Sequence, residues 1–130
     1  MDNKKLIEMA DKAKEYAYVP FSHFNVGAAV LTAEGKVYTG CNIENSSLGA
    51  TNCAERTAIF KAISEGYKNF TKIAVMSSSG DFTSPCGICR QVIFEFFDEE
   101  CEILLGNNKG EIKVYKVKEI LPIGFKVDSF

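Results

Sequence analysis

The sequence predicts an α/β fold, a three-layer α-β-α sandwich around a mixed five-stranded sheet. Three observations predict it. Apolar strand-like runs and helical patterns follow one another in the order α-β-β-α-β-α-β-β. A β-α-β-α-β stretch implies parallel pairing through right-handed crossovers. Turn signals at Glu34-Gly35-Lys36 and Asn107-Asn108-Lys109-Gly110 imply antiparallel hairpins outside that stretch. The chain has 130 residues, 46% of them apolar and 25% charged, which fits one globular domain over residues 1–130.

Each element has a local reason. Asp2 or Asn3 can cap a first helix, in which Leu6, Ala10, Ala13 and Ala17 recur at helical spacing. Pro20 stops it, and Pro20-Phe21-Ser22-His23 reads as a loop. Val26 to Leu31 is almost continuously apolar, as expected of a strand covered on both faces. Val37 to Thr39 pairs back on it across the turn, and Asn42 to Asn52 is a polar loop. Cys53 to Glu65 is rich in helix formers, and Gly66 ends it. Lys72 to Met76 is a third strand, and Ser77 to Ser84 a loop of Ser, Gly and Asp. Pro85 precedes a helix over Gly87 to Phe97, with Val92, Ile93, Phe96 and Phe97 on its buried side. Cys101 to Leu105 and Ile112 to Val117 are the last strands, and one helical turn precedes Pro122.

Charge and composition exclude several functions. Lys and Arg total 15 against 17 Asp and Glu, a net charge of −2, without the basic excess of a protein that tracks a nucleic-acid backbone. No apolar run approaches the ~20 residues of a membrane span. The segment Met1-Asp2-Asn3-Lys4-Lys5 leads into a mixed-charge helix without an apolar signal core, so a cytoplasmic location is expected.

Five cysteines, an odd number without an export signal, point to metal or catalysis rather than a disulfide framework. Cys86 and Cys89 form a Cys-x-x-Cys pair at one predicted helix start, and Cys53 opens another. Alone, the pair would fit a redox couple or half of a structural zinc site. Helix N-termini favour thiolates, and neighbouring crossover helices bring Cys53 towards the pair. Three thiolates with no obvious fourth protein ligand match the open pattern of a catalytic zinc, which keeps a position for a water it acidifies. Glu55 stands two residues after Cys53, placed to move protons without ligating. Arg56 would offset the negative ligand set. Cys41 and Cys101 read as buried apolar residues, and His23, the one histidine, as a non-ligand.

Cys53-Ala54-Glu55 followed by Pro85-Cys86-Gly87-Ile88-Cys89 resembles the Cys-x-Glu…Pro-Cys-x-x-Cys signature of zinc nucleoside deaminases. Phe24-Asn25-Val26-Gly27-Ala28-Ala29, Cys41-Asn42-Ile43-Glu44-Asn45 and Leu121-Pro122-Ile123-Gly124-Phe125 further resemble segments of the small homotetrameric cytidine deaminases. The likeness runs from Lys4 to Phe125. It implies a cytidine deaminase-like fold and one zinc ion per chain on Cys53, Cys86 and Cys89, with Glu55 as acid and base. It also implies Asn42 and Glu44 on the ribose hydroxyls, Phe24 against the pyrimidine, and backbone at Ala54 and Cys86 reading the base edge. Arg56 would support the thiolates, and Phe125 would reach a neighbouring subunit's site in a homotetramer.

The implied reaction is hydrolysis of cytidine or 2′-deoxycytidine to uridine or 2′-deoxyuridine with release of ammonia, as in pyrimidine salvage. Glu55 would carry protons to N3 and to the leaving amino group. The partner would be a free nucleoside, with neither a nucleic-acid polymer nor a membrane. A deaminase of another aminopyrimidine such as blasticidin S and a purely structural zinc module are the alternatives. Leu48 replaces an aromatic common in the family, and Ile88 a smaller residue. The chain ends at Phe130, so contacts made by longer tails are not expected.

Overall fold

Strands β1 (Val26–Thr32), β2 (Val37–Cys41), β3 (Phe70–Ser77), β4 (Phe97–Gly106) and β5 (Ile112–Lys116) form one sheet in the order β2-β1-β3-β4-β5. The computed structural model describes residues 1–127, so Phe130 lies outside the described residues. β1 is antiparallel to both β2 and β3, β3 is parallel to β4, and β4 is antiparallel to β5. The mixed five-stranded sheet expected from the sequence is therefore present.

Period-two alternation explains the layers. Ala28, Val30, Ile73, Val75, Ile103 and Leu105 point to one face and pack with Ala58, Ile59 and Ala62 of α2 (Ala54–Ser64), Ile93 of α3 (Gly87–Phe96) and Val117 of α4 (Val117–Ile120). The intervening Ala29, Ala74, Met76 and Leu104 point to the other face and meet Leu6, Ile7 and Ala10 of α1 (Asn3–Ala13). Both faces are covered, so the central strands are apolar almost without interruption.

β1 and the end of α1 approach backbone to backbone at Gly27. A Cβ on Gly27 would lie 2.0 Å from the Ala10 carbonyl oxygen and 2.6 Å from the Lys14 nitrogen, both backbone atoms. Gly27→Ala is therefore expected to destabilise the fold by about 3 kcal/mol. An unchanged urea midpoint would contradict that packing.

Helix boundaries have identifiable causes. The Asp2 carboxylate accepts from the Lys5 N–H at 2.8 Å and caps α1. Gly66, at φ +99°, turns the chain after α2. Three sequence expectations need correction. Ala17 does not continue the first helix; a single 3₁₀ turn, Lys14–Tyr16, follows α1, and the Asn25 side chain takes the Lys14 carbonyl at 3.1 Å. β4 begins at Phe97 rather than Cys101, because Phe97 leaves α3 directly, pairs with Phe70 and stacks on its ring at 5.0 Å. Asp98-Glu99-Glu100 hid that strand's start, since no alternation survives three exposed acids. Finally, Cys41, Cys101, Val92 and Phe96 are half-buried rather than fully enclosed.

Topology sets up the site. β2 and β3 both run against β1, and the pairs Gly27↔Cys41 and Val26↔Ser77 place the ends of β2 and β3 beside the start of β1. The loops leading into α2, α3 and β1 therefore meet at one sheet edge. No helix among the described residues is long and apolar enough to cross a membrane.

Candidate metal centre and catalytic cleft

Cys53 is the N-cap of α2 and Cys86 the N-cap of α3. The Cys86 sulfur accepts from the Cys89 N–H at 3.5 Å, taking the place a Ser or Asp oxygen usually fills. Cys89, one turn on, points the same way. The three sulfurs lie within 4.8 Å of one another, and those of Cys53 and Cys86 are 3.7 Å apart. Tetrahedral zinc with ~2.3 Å bonds to sulfur needs an edge of ~3.8 Å. These soft donors suit zinc, and no fourth His, Cys, Asp or Glu joins them among the described residues.

The electrostatics favour a single thiolate, at Cys53. Hydrogen bonds from Cys89 and Arg56 hold the Cys53 thiol down at about 5, against the desolvation that opposes its charge. The Arg56 Nη2 donates to the Cys53 sulfur at 3.3 Å. Cys89 is pushed well up, first by its hydrogen bond to Cys53 and then by burial. A second thiolate beside the first is thus costly until a cation arrives.

Glu55 occupies the first turn of α2 and is only 4% exposed. Burial pushes its carboxyl up to about 7, and the Cys53 thiolate adds to the rise. It lines a cleft of about 190 Å³ together with Phe24, Asn42, Ala54, Cys53 and Cys86. Larger hollows of about 500 and 600 Å³ lie elsewhere against α1 and contain none of these groups. A hollow's size does not locate the chemistry here; the sulfur cluster does.

The remaining candidates divide. The Asn42 side chain sits at the cleft, where Oδ1 accepts from the Val26 N–H at 2.9 Å and Nδ2 donates to the Phe24 carbonyl at 2.8 Å. Glu44 stands beside it, outside the cleft lining, and Oε1 accepts from the Phe21 and Ser22 N–H groups at 3.0 and 3.2 Å. The Ser22 hydroxyl donates to Glu44 Oε2 and leads the causes that hold this carboxyl below its usual range. Phe125 is 72% exposed and does not line the cleft of its own chain; its carbonyl accepts from Gln91 Nε2 at 2.7 Å. Leu48 and Ile88 are exposed. Thr83 and Ser84 also line the cleft. They read only as loop residues in the sequence, and Ser77, which pins Thr83 through a 2.6 Å hydroxyl contact, marks that wall only once β3 is paired.

Residues 1–105 match the model of the cytidine and deoxycytidylate deaminase zinc-binding region. The chain belongs to this deaminase family. A cytidine deaminase of Sporosarcina psychrophila is 51% identical over 99% of this chain and 95% of its own length. That of Halalkalibacterium halodurans is 48% identical over 99% and 98%. A crystal structure of cytidine deaminase from Burkholderia pseudomallei superposes with a TM-score of 0.91 at 46% identity, covering 96% of this chain and 100% of that one. The zinc-binding region of the deaminase family thus coincides with the sequence that builds the three-cysteine cluster and Glu55.

Proposed function

We propose that this protein, one domain over residues 1–130, catalyses hydrolysis of cytidine and 2′-deoxycytidine to uridine and 2′-deoxyuridine. Water is consumed and ammonia released. The observation that carries the proposal is a buried carboxyl, Glu55, beside three converging cysteine sulfurs at one cleft. Relatives named cytidine deaminase, similar along nearly the whole chain, support it.

Cys53, Cys86 and Cys89 would hold one zinc ion. Bound there, zinc supplies Lewis acidity and makes a water nucleophilic near neutral pH. Glu55 would take one proton of the attacking water and deliver it to N3 of the pyrimidine as the oxygen adds to C4, then pass the oxygen's remaining proton to the exocyclic amino group, which leaves as ammonia when the C4–N bond breaks. Burial that raises the Glu55 carboxyl suits a group that must both take and give a proton. Arg56 offsets thiolate charge at Cys53. Phe24 packs on the ring, backbone at Ala54 and Cys86 meets its polar edge, and Asn42 with Glu44 takes the sugar hydroxyls. A free 3′-hydroxyl at that pair favours nucleosides over polymers.

Loss of cytidine absorbance with stoichiometric ammonia, and about one zinc per chain, is the direct test. A folded, zinc-loaded protein that converts neither nucleoside refutes the proposal.

The working form is a homotetramer in which Phe125 reaches a neighbour's cleft. Two features support this. Phe125 is exposed in its own chain, as are Phe21, Leu48, Ile88 and Ile123. The cleft of about 190 Å³ falls below the ~300–1,000 Å³ usual for a small-molecule site, as expected of one lacking a wall. Sedimentation is expected to give four chains, and Phe125→Ala to raise KM more than it lowers kcat. A monomer at full activity contradicts both. Five unpaired cysteines, three of them grouped for metal, suit the reducing cytoplasm.

A further inference from the structure

We propose that Asn42 and Glu44 act as positioning residues for the Phe24 ring, a role beyond sugar contact and resting on the nucleoside site proposed above. Both main-chain polar groups of Phe24 are held by this pair. Its carbonyl accepts from Asn42 Nδ2 at 2.8 Å. Its N–H donates to the Ser22 hydroxyl oxygen at 3.1 Å, and that hydroxyl in turn donates to Glu44. Asn42 Oδ1 also takes the Val26 N–H, so one amide bridges the residues on either side of Asn25. Glu44 Oε1 takes the N–H groups of Phe21 and Ser22. On the opposite flank Asn25 is pinned to Ser78 by a pair of bonds, N–H to Oγ at 3.0 Å and carbonyl to N–H at 2.8 Å.

The segment needs holding. His23 has φ +56°, a left-handed conformation that a non-glycine residue adopts at a cost. Phe24 is 36% exposed, so burial alone does not fix its ring. Without the grip at both ends, the 21–24 loop would relax and the wall on which a pyrimidine stacks would move. Displacement of about 1 Å in such a wall costs up to about 100-fold in rate. The Asn-x-Glu spacing makes the double grip possible, because residues two apart in extended chain share one side, and here that side faces the 21–26 segment.

The chain contains no tryptophan, so Phe24→Trp introduces a single fluorescent reporter of ring mobility that is independent of catalysis. Adding Asn42→Ala, or Ser22→Ala on the exposed loop should the first fail to fold, is expected to lower its anisotropy. In the Phe24 protein, Asn42→Ala is expected to cost about 10- to 100-fold in kcat/KM even on 3′-deoxycytidine, which lacks the hydroxyl a sugar ligand would meet. That loss should shrink in a Phe24→Ala background, because the two changes act through one ring. Unchanged anisotropy in both variants, or full activity of Asn42→Ala on 3′-deoxycytidine, overturns the assignment. An inactive wild type whose reporter still responds would remove the deaminase proposal and leave the clamp standing.

Discussion

Glu55→Gln is expected to cut cytidine turnover by about 10²- to 10⁴-fold while leaving zinc content and fold intact. The amide has nearly the shape of the carboxyl and occupies the same buried place in α2. It cannot exchange protons, so the loss should fall on kcat. Burial that holds the acid near neutrality is also why the neutral amide is tolerated: it removes a charge that folding disfavours. Thermal stability of the variant is therefore expected to match or exceed wild type. Parallel assays of turnover, zinc and melting temperature decide the matter. Undiminished turnover would remove Glu55 from the reaction, and lost zinc would make it part of the metal site's support.

Removing the metal has the second large effect. Chelation, or Cys86→Ala, is expected to abolish turnover and lower the melting temperature by about 10 °C or more. Cys53 and Cys86 cap two different helices, so a cation between their sulfurs joins α2 to α3 at the sheet edge. A ligand present at a thousand times its Kd, bound only by the folded chain, adds about 4 kcal/mol. For a domain of this length that corresponds to a shift of about ten degrees or more. Affinity for zinc should rise with pH, because Cys89 keeps its proton in the metal-free cluster and must release it on binding. Proton release on titration with zinc checks the sign. A melting temperature indifferent to chelation would mean the two helices are held by packing alone.

Legibility differed between elements for physical reasons. The central strands were plain because both faces are covered, so nearly every position is apolar whichever way it points. The start of β4 was not, since its solvated acids carry no pattern and Phe97 is fixed there by pairing with and stacking on Phe70, far back in the chain. The metal cluster could be read from residue type and spacing: thiols at two helix starts and an acid in the first turn leave few other chemistries. Thr83, Ser84 and Ser22 had no such signal, because serine and threonine in a loop look alike whether they face a cleft or solvent.

What the sequence by itself determined is the inventory: which residues can ionise, ligate or cap, and which runs must be buried. These follow from side-chain chemistry and local periodicity. The tertiary structure alone decided their mutual arrangement. Antiparallel pairing of β1 with both β2 and β3 brings residues 24, 42, 53 and 86 to one edge. It also turned Asn42 and Glu44 towards the backbone of the 21–26 segment, contacts across 18 residues and more that no local pattern encodes. Hydrogen bonds between distant segments depend on strand register, and register is set by how the whole core packs.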